Sequence, residues 1–307
     1  MIPMSKVISW IKLMRLEFYS MPFVVYSLGA LISYKSNDLF FIKNFFVGYI
    51  VIFLIELATV LTNEYYDLEG DRLNKNPGRF TGGSRMLVEN RVSLKEVNLA
   101  FIFVILSFLL FSFYLLKLTY FSNNVLILLI LGMIFGIYYT APPLKLSYRG
   151  VGEIDVAFTN GFYIIICGYV FQKRIIDSPI IFILSLPIFF SSLAIVSLGG
   201  IPDLESDRLV SKKTLVSLIG PKNTLFFSIF CILITGLIGT YLYHLFFSWK
   251  LNSLYLLLPI YSIYLSYIFL SKLRLKNYEI SISKMIFRGM VLIALSSFIP
   301  LIIYGSS

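Results

Sequence analysis

Histidine, cysteine and charged residues are all scarce in this chain. It has one histidine, His244, and two cysteines, Cys167 and Cys231, among 307 residues. Both cysteines lie inside apolar runs, so the sequence predicts neither a disulfide framework nor a zinc site, and no histidine-based site is expected. Only 14% of the residues are charged, whereas about 25% is usual in soluble domains. With 58% hydrophobic residues and a mean hydropathy of +0.85, the composition indicates an integral membrane protein.

Long apolar runs are abundant. Nine of them have the length of roughly 17–25 residues that an α-helix needs to cross a bilayer. The nine runs cover residues 18–34, 43–62, 97–117, 123–141, 154–172, 179–200, 224–247, 252–271 and 285–304. The sequence therefore predicts an all-α integral membrane protein with nine transmembrane helices, built as a single domain over residues 1–307.

The net charge of +10 alone would suggest a nucleic-acid partner, but the distribution of the basic residues opposes it. Lys and Arg cluster in alternate connections between the apolar runs. Twenty of them lie on the predicted side that includes the N-terminus, and six lie on the other side. Because basic residues mark the cytoplasmic side of membrane proteins, we expect a cell-membrane protein in contact with lipid, with its N-terminus in the cytoplasm and its C-terminus outside. No nucleic-acid partner is expected.

Two short acidic stretches follow apolar runs on the predicted inner side. Residues four apart on a helix are offset by about 40°, so Asn63, Asp67 and Asp71 would share one face, as would Asp203 and Asp207. Clustered carboxylates repel one another and are costly near lipid unless a cation neutralises them. Oxygen ligands of this kind suit Mg²⁺, which keeps water molecules and takes further ligands from substrate phosphates. The two stretches therefore predict two metal–diphosphate sites.

These acidic stretches also open the two longest loops, over residues 63–96 and 201–223. Both loops follow even-numbered runs that are four runs apart, which indicates an internal pseudo-repeat. They are rich in Gly, Asn, Ser and charged residues, so we expect ordered caps over a cavity entrance.

On nine predicted helices, the patterns Asn-x₃-Asp-x₃-Asp and Asp-x₃-Asp resemble the motifs of the UbiA superfamily of intramembrane prenyltransferases. The resemblance covers nearly the whole chain, and it implies a central cavity under a cytoplasmic cap. It also implies that the motifs hold Mg²⁺, with two ions expected to bridge the diphosphate of a polyprenyl diphosphate donor, while an acceptor attacks the allylic carbon. The implied metal ligands are Asn63, Asp67, Asp71, Asp203 and Asp207. The four aspartates are also the implied catalytic residues.

Basic residues near the motifs are candidates for diphosphate binding. Breaking an allylic C–O bond leaves growing negative charge on the diphosphate, so the leaving group needs cations. Arg15, Arg72 and Lys212 are placed to supply them, although ordinary positive-inside charge explains each one equally well. The stretch Ser-Lys-Lys-Thr at 211–214 resembles the family's Gly-Lys-x-Thr with Ser in place of Gly, which makes Lys213 a substitute for Lys212.

One aromatic residue is also a catalytic candidate. Tyr139, in the segment 138–143, matches a Tyr-containing segment of the family. The negative face of its ring would stabilise an allylic cation. Most of the other aromatic residues are expected to face lipid or to pack between helices.

The acceptor is indicated by the segment 146–153, which resembles the Tyr-x-Gly-x-Gly-Glu stretch of the branch that prenylates 1,4-dihydroxy-2-naphthoate in menaquinone synthesis. The segment 80–85 also resembles this branch. By this resemblance Arg149 or Glu153 would bind the carboxylate or hydroxyl of a hydrophobic, aromatic acceptor. Alternatively, Glu153 is simply favoured by the dipole of the helix that follows.

Glu56 is a charged residue inside an apolar run. It lies seven residues before Asn63, two helical turns deeper and on nearly the same face. An intramembrane carboxylate costs roughly 2.5–3.5 kcal/mol, so Glu56 should face the cavity or a partner. Glu56 could bind or deprotonate the acceptor, or it could form a structural hydrogen bond to a neighbouring helix, which is the role that we favour.

The function expected from these features is Mg²⁺-dependent transfer of a polyprenyl group to an aromatic acceptor. Within the same family, a geranylgeranylglyceryl-phosphate geranylgeranyl transferase of archaeal lipid synthesis is an alternative. A Mg²⁺-binding ion carrier would need ionisable residues through both halves of the membrane, and the outer halves of these runs carry almost none. A CDP-alcohol phosphotransferase would carry a longer aspartate signature that this chain lacks.

The charge bias makes the orientation testable by labelling. A single cysteine replacing Ser211 should be protected from impermeant thiol reagents in intact cells, because its loop carries cytoplasmic charge. A single cysteine replacing Ser306 should be labelled without permeabilisation. The opposite pattern would reverse the predicted orientation.

Overall fold

The computed structural model describes residues 5–16, 19–75, 77–78, 81–274 and 278–306, without the side chains of residues 274 and 278–280. Phe18 at the start of the first predicted run, residues 76, 79 and 80 of the predicted loop 63–96, and Ser307 lie outside the described residues. The described chain is built from helices. Their bounds are α1 Lys6–Met14, α2 Ser20–Asn37, α3 Ile42–Tyr66, α4 Leu68–Leu73, α5 Leu94–Leu118, α6 Asn123–Tyr138, α7 Gly152–Phe158, α8 Ile164–Lys173, α9 Ile180–Leu209, α10 Leu215–Ile219, α11 Pro221–Leu245, α12 Leu257–Arg274 and α13 Tyr278–Ser306.

Each of the nine predicted runs coincides with one of these helices or with a continuous pair. Helices α7 and α8 are joined by the π-helical segment Thr159–Tyr163, and a 3-10 turn, Asn252–Leu256, leads into α12. Within the described residues, seven helical segments are long and apolar enough to cross a membrane. The two remaining runs fall on α2, which ends in polar residues, and on α6, which has 16 residues. Nine membrane passes therefore stay a prediction.

Small residues allow the backbones of α2 and α8 to approach closely. A Cβ atom at Gly29 of α2 would collide with the carbonyl oxygen of Ile165, and one at Gly168 of α8 would collide with that of Tyr26. Apolar side chains gain little from meeting one another instead of lipid, so helices in membranes rely on such close packing. Tyr26 of α2 is fully buried against aromatic residues of α3 and α8, and its hydroxyl donates a hydrogen bond to the carbonyl of Phe45 at 3.0 Å.

Two buried amides connect α3 to the end of α8. The Asn44 side-chain nitrogen donates to the Phe171 carbonyl at 2.9 Å. The Gln172 side chain accepts from the Phe41 backbone N–H at 2.8 Å and donates to the Phe41 carbonyl at 3.2 Å. Unpaired amides are costly among apolar helices. These bonds therefore fix the ends of α3 and α8 that lie away from the acidic stretches.

At the opposite end, the helices extend further than the hydropathy boundaries predict. Helix α9 continues to Leu209, so Asp203 and Asp207 lie on its last turns, and the predicted loop 201–223 begins only at Val210. Helix α3 ends at Tyr66, but α4 follows at once, and the backbone N–H groups of Asp67 and Asp71 still donate to carbonyls four residues earlier at 2.9 Å. The acidic residues are therefore held by helical backbone.

The close approach of α2 and α8 predicts that Gly168→Ala lowers stability. The added methyl group meets a backbone carbonyl, which cannot move aside, and overpacking of this kind costs about 1–3 kcal/mol. Purified protein in detergent should show a lower unfolding temperature. Gly305→Ala, where a Cβ meets nothing within 4 Å, is the matched helical control and should leave that temperature unchanged. Equal unfolding temperatures for the two variants would contradict this packing.

Candidate active site

A polar cavity of about 200 Å³ lies where the ends of α3, α4 and α9 meet the segments that follow α6 and α9. Nine residues predicted from sequence line it together. These residues are Arg15, Asn63, Asp67, Asp71, Tyr139, Glu153, Asp203, Asp207 and Lys212. Both acidic stretches therefore face one space, although they are far apart in the chain.

Asp67 is bonded through both of its carboxylate oxygens. Its Oδ2 atom lies 2.8 Å from the Lys212 ammonium, and its Oδ1 atom accepts from the Tyr148 hydroxyl at 2.7 Å. The same ammonium lies over the Tyr148 ring, 5.3 Å from its centroid. Burial and Asp67 raise the pKa of Tyr148 above its usual value, so the phenol stays a donor. Burial alone would lower the pKa of Lys212, but nearby Asp67 raises it overall, so the cation persists.

Asp203 is fixed by the segment that follows α4. Its two oxygens accept from the Asn74 side chain at 2.7 Å and from the Gly82 backbone N–H at 3.2 Å. Gly82 has a φ of +76°, a left-handed conformation that favours glycine. These bonds join the polar segment after the first acidic stretch directly to the second stretch.

The Asp71 carboxylate lies against Gly83, the residue that follows Gly82. A Cβ atom at Gly83 would collide with the Asp71 carboxylate, so only glycine allows this approach. The Arg85 guanidinium donates to the Asp71 backbone carbonyl and thereby secures the segment. Burial, followed by the charges of Glu64 and Asp67, raises the pKa of Asp71 to about 7. A bound cation would relieve this repulsion and keep the carboxylate ionised.

The donor set fits a hard cation that shares its ligands with a substrate. Asn63 has a buried side-chain oxygen with no hydrogen-bond partner among the described residues, and it borders the cavity together with the four aspartates and Glu153. In the part of the chain that the structure describes, no three His, Cys, Asp or Glu side chains are close enough to hold a metal by themselves. Mg²⁺ typically completes its octahedron with water and phosphate oxygens, so this arrangement suits Mg²⁺ with a diphosphate.

Glu153 lines the cavity but also has a local structural bond. One carboxylate oxygen accepts from the Leu215 backbone N–H at 2.8 Å, at the first residue of α10. This hydrogen bond joins the start of α7 to the segment after α9.

Four other predicted residues do not line this cavity. Arg72 and Lys213 are exposed, since α4 and the segment after α9 turn these side chains outward while Asp71 and Lys212 turn inward. Arg149 is also exposed, and its guanidinium donates to the Pro143 carbonyl at 2.9 Å. Glu56 lies deeper along α3.

Several lining or supporting residues were not singled out from sequence. Tyr148 and Asn74 contact the aspartates directly. Glu64 is buried, with 3% of its surface exposed, and its carboxylate accepts hydrogen bonds from the Ser84 backbone N–H at 2.7 Å and from the Ser84 hydroxyl at 2.6 Å. Glu64 directly follows Asn63, so its proximity to the motif was the available signal. Tyr148 is the tyrosine of the segment that resembles Tyr-x-Gly-x-Gly-Glu, but that resemblance did not indicate its partner Asp67, 81 residues away. Asn74 gave no signal, because its partner Asp203 lies 129 residues away.

Comparison with known proteins gives one family. The sequence model of the UbiA prenyltransferase family matches residues 21–291. "UbiA prenyltransferase domain-containing protein 1" of Dictyostelium discoideum is 29% identical over 101 residues, and the match spans 33% of this chain and 30% of that protein.

Solved structures share the fold over nearly the full length. A structure of digeranylgeranylglyceryl phosphate synthase superposes with a TM-score of 0.67 at 20% identity, covering 98% of this chain and 99% of that one. A UbiA homologue from Archaeoglobus fulgidus bound to DMAPP and Mg²⁺ gives 0.63 at 18% identity, covering 93% and 99%. The apo UbiA homologue from Aeropyrum pernix K1 gives 0.64 at 16% identity, covering 95% and 97%.

The cavity predicts cation binding that depends on both acidic stretches. In wild-type protein, Mg²⁺ with inorganic diphosphate should raise the unfolding temperature, because ligands that bind only the folded state stabilise it. Asp67→Ala and Asp203→Ala should each lose most of this increase, because each removes a carboxylate that lines the cavity. Glu89→Gln, an exposed carboxylate outside the cavity, is the control and should keep it. An undiminished increase in both aspartate variants would exclude this cavity as the metal site.

Proposed function

The chain belongs to the UbiA prenyltransferase family, whose members are prenyltransferases. From this premise we propose that it transfers a polyprenyl group from a polyprenyl diphosphate to an aromatic acceptor with the help of Mg²⁺. The observation that carries the proposal is the single cavity lined by both acidic stretches together with Lys212 and Arg15. Carboxylates beside fixed cations suit a metal-bound diphosphate, which needs both kinds of contact.

On the donor side, the residues of the cavity would bind and stabilise the leaving diphosphate. Asn63, Asp67, Asp71, Asp203 and Asp207 would hold Mg²⁺, and we expect two ions. When bound, Mg²⁺ acts as a Lewis acid that neutralises charge on the diphosphate as the allylic C–O bond breaks.

Lys212 supplies a further positive charge to the diphosphate. Its position is preset by Asp67 and by the Tyr148 ring, so little reorganisation is needed when the leaving group gains charge. Arg15, at the end of α1, lines the same cavity. Arg72 and Lys213, which are exposed, would reach a diphosphate only from outside the cavity.

Tyr139 is the proposed stabiliser of the allylic cation. Tyr139 follows directly after α6 and lines the cavity. Its ring lies next to Gly152, where an added Cβ atom would be 3.4 Å from the ring. An aromatic face attracts a cation without acting as a nucleophile. Tyr139 would therefore favour ionisation of the donor without trapping the cation.

The proposed acceptor is 1,4-dihydroxy-2-naphthoate, as in menaquinone-type quinone synthesis. Support comes from the segment 146–153, which borders the cavity through Ser147, Tyr148, Gly152 and Glu153. The second carboxylate oxygen of Glu153 would accept a hydrogen bond from an acceptor hydroxyl. Arg149 would need to leave the Pro143 carbonyl to reach an acceptor carboxylate. Geranylgeranylglyceryl phosphate is the alternative acceptor.

We further propose that the chain lies in the cell membrane with this cavity open to the cytoplasm. The charge bias of the sequence supports this orientation. A polyprenyl chain is apolar and a diphosphate is charged. A cavity at the ends of apolar helices allows each part to stay in its preferred medium.

Two variants separate the donor part of the proposal from the acceptor part. Asp71→Asn should reduce product formation at least tenfold with every acceptor, because it weakens a contact to the metal-bound leaving group. Glu153→Gln should reduce turnover mainly with 1,4-dihydroxy-2-naphthoate. The assay is product formation from labelled geranylgeranyl diphosphate with Mg²⁺ and an acceptor panel of naphthoate, benzoate and geranylgeranylglyceryl phosphate.

Glu69→Gln, an exposed acidic residue on the same short helix as Asp71, serves as the control and should keep full activity. EDTA should abolish turnover by the wild type. Turnover in EDTA would remove the metal mechanism. If product forms only with geranylgeranylglyceryl phosphate, the proposed aromatic acceptor is wrong, but the proposed prenyltransferase activity stands.

A further inference from the structure

A second polar cluster lies within the apolar helices, deeper than the metal cavity. It consists of Glu56 on α3 and Tyr19 immediately before α2, and we call it the Glu56–Tyr19 pair. Glu56 lies seven residues before Asn63, about 10 Å along the helix axis from the cavity. The Glu56 Oε2 atom and the Tyr19 hydroxyl are both buried without a hydrogen-bond partner among the described residues.

The two side chains are held close together. The Tyr49 hydroxyl donates to the Tyr19 backbone carbonyl at 3.2 Å, and the Tyr19 ring packs against Phe53 with centroids 5.0 Å apart. Phe53 precedes Glu56 by three residues, so the Tyr19 ring lies along the face of α3 that carries Glu56. The charge of Glu56 is among the influences on the Tyr19 phenol, which is consistent with this placement.

The pair is also next to the metal cavity. Arg15 lies four residues before Tyr19, and its charge acts on Tyr19 as well as on Glu64 and Asp71. Arg15 itself lines the cavity. Neither Glu56 nor Tyr19 borders the metal cavity itself, so a ligand would have to extend past Arg15 to reach the pair.

Leaving two buried polar groups without partners costs free energy, about 1–3 kcal/mol for each. A bound ligand that satisfies both groups would remove this cost. The Arg15 charge disfavours a cation beside Tyr19, and the Glu56 carboxyl disfavours an anion. A neutral hydroxyl remains, since it donates one hydrogen bond and accepts another.

We propose that the Glu56–Tyr19 pair binds a neutral hydroxyl group of the acceptor and thereby selects acceptors that present one. The proposal rests on the proposed prenyl transfer, because it places the acceptor beside the donor cavity. It gives Glu56 and Tyr19 a role in specificity. An acceptor carboxylate, where the acceptor has one, would then point away from the pair.

The test compares two probes that differ only in the hydroxyl, 1-naphthol and 1-methoxynaphthalene. Binding to the purified full-length protein is followed by the fluorescence polarisation of each probe. Wild-type protein should bind 1-naphthol about tenfold or more tightly than the methyl ether, as expected when a buried hydrogen bond to a carboxylate is lost. Glu56→Leu and Tyr19→Phe should each remove most of this preference. Glu56→Gln, which can still donate and accept, should keep much of it.

The matched control is Ser33→Ala. Ser33 lies on α2 and also has a buried hydroxyl without a partner among the described residues, but it is far along the helix from Tyr19. Its removal should leave the naphthol preference unchanged. An equal preference in wild type and Glu56→Leu, or none in the wild type, would mean that only water or packing satisfies the pair, and the proposal would be wrong.

Turnover distinguishes this failure from failure of the proposed function. In the Glu56→Leu variant, the apparent KM for a hydroxyl-bearing acceptor should rise about tenfold. Binding of an unreactive thiolo analogue of geranylgeranyl diphosphate with Mg²⁺ should stay as in wild type. If the Glu56→Leu variant binds the analogue normally and its acceptor KM is unchanged, the proposed role of the pair is wrong and the proposed donor site is unaffected. If the wild-type protein does not bind the analogue with Mg²⁺, the proposed prenyl transfer itself is wrong.

Discussion

The cost of burying carboxylates at the ends of apolar helices governs the arrangement of this protein. Asp67 is 8% exposed, and it is balanced by the Lys212 ammonium and the Tyr148 hydroxyl from two other segments. A paired and hydrogen-bonded charge is tolerated in such surroundings, whereas an isolated one is not. The segments after α6 and α9 therefore have to come to α3. Once they do, their other bonds, such as that between Leu215 and Glu153, follow from the same approach.

The helices could be predicted from the sequence because membrane crossing needs long apolar runs, and each run coincides with a described helix. The limits of the helices were less accessible. Helix α9 extends through Pro202 to Leu209, although its last turns are acidic, since these turns face a polar cavity and not lipid. The π-helical segment Thr159–Tyr163 had no sequence signal. It lies where Gly161 meets the backbone of Phe189, a contact between segments that periodicity within one run does not reveal.

The site could be predicted only as far as local spacing reaches. The four-residue intervals between Asn63, Asp67 and Asp71 are a property of one stretch, and the helical hydrogen bonds across the α3–α4 junction keep these residues aligned. Spacing cannot say which of two adjacent lysines turns inward, because this depends on where the segment after α9 lies. Lys212 meets Asp67, while the Lys213 backbone N–H donates to the Tyr148 carbonyl at 3.3 Å and its side chain remains exposed.

Two kinds of polar environment therefore coexist along one face of α3. In the cavity, Asp67 and Asp203 have protein partners for both carboxylate oxygens, so the proposed donor site is partly preorganised for a ligand that would bring its own charge and metal. Around Glu56 the polar atoms lack partners among the described residues, so the folded chain carries an unmet hydrogen-bonding demand. A neutral ligand gains affinity in such a place by removing the penalty rather than by matching a charge. The order of the two environments, charged toward the polar segments and neutral within the helices, matches a reaction that joins an ionic donor to an apolar acceptor.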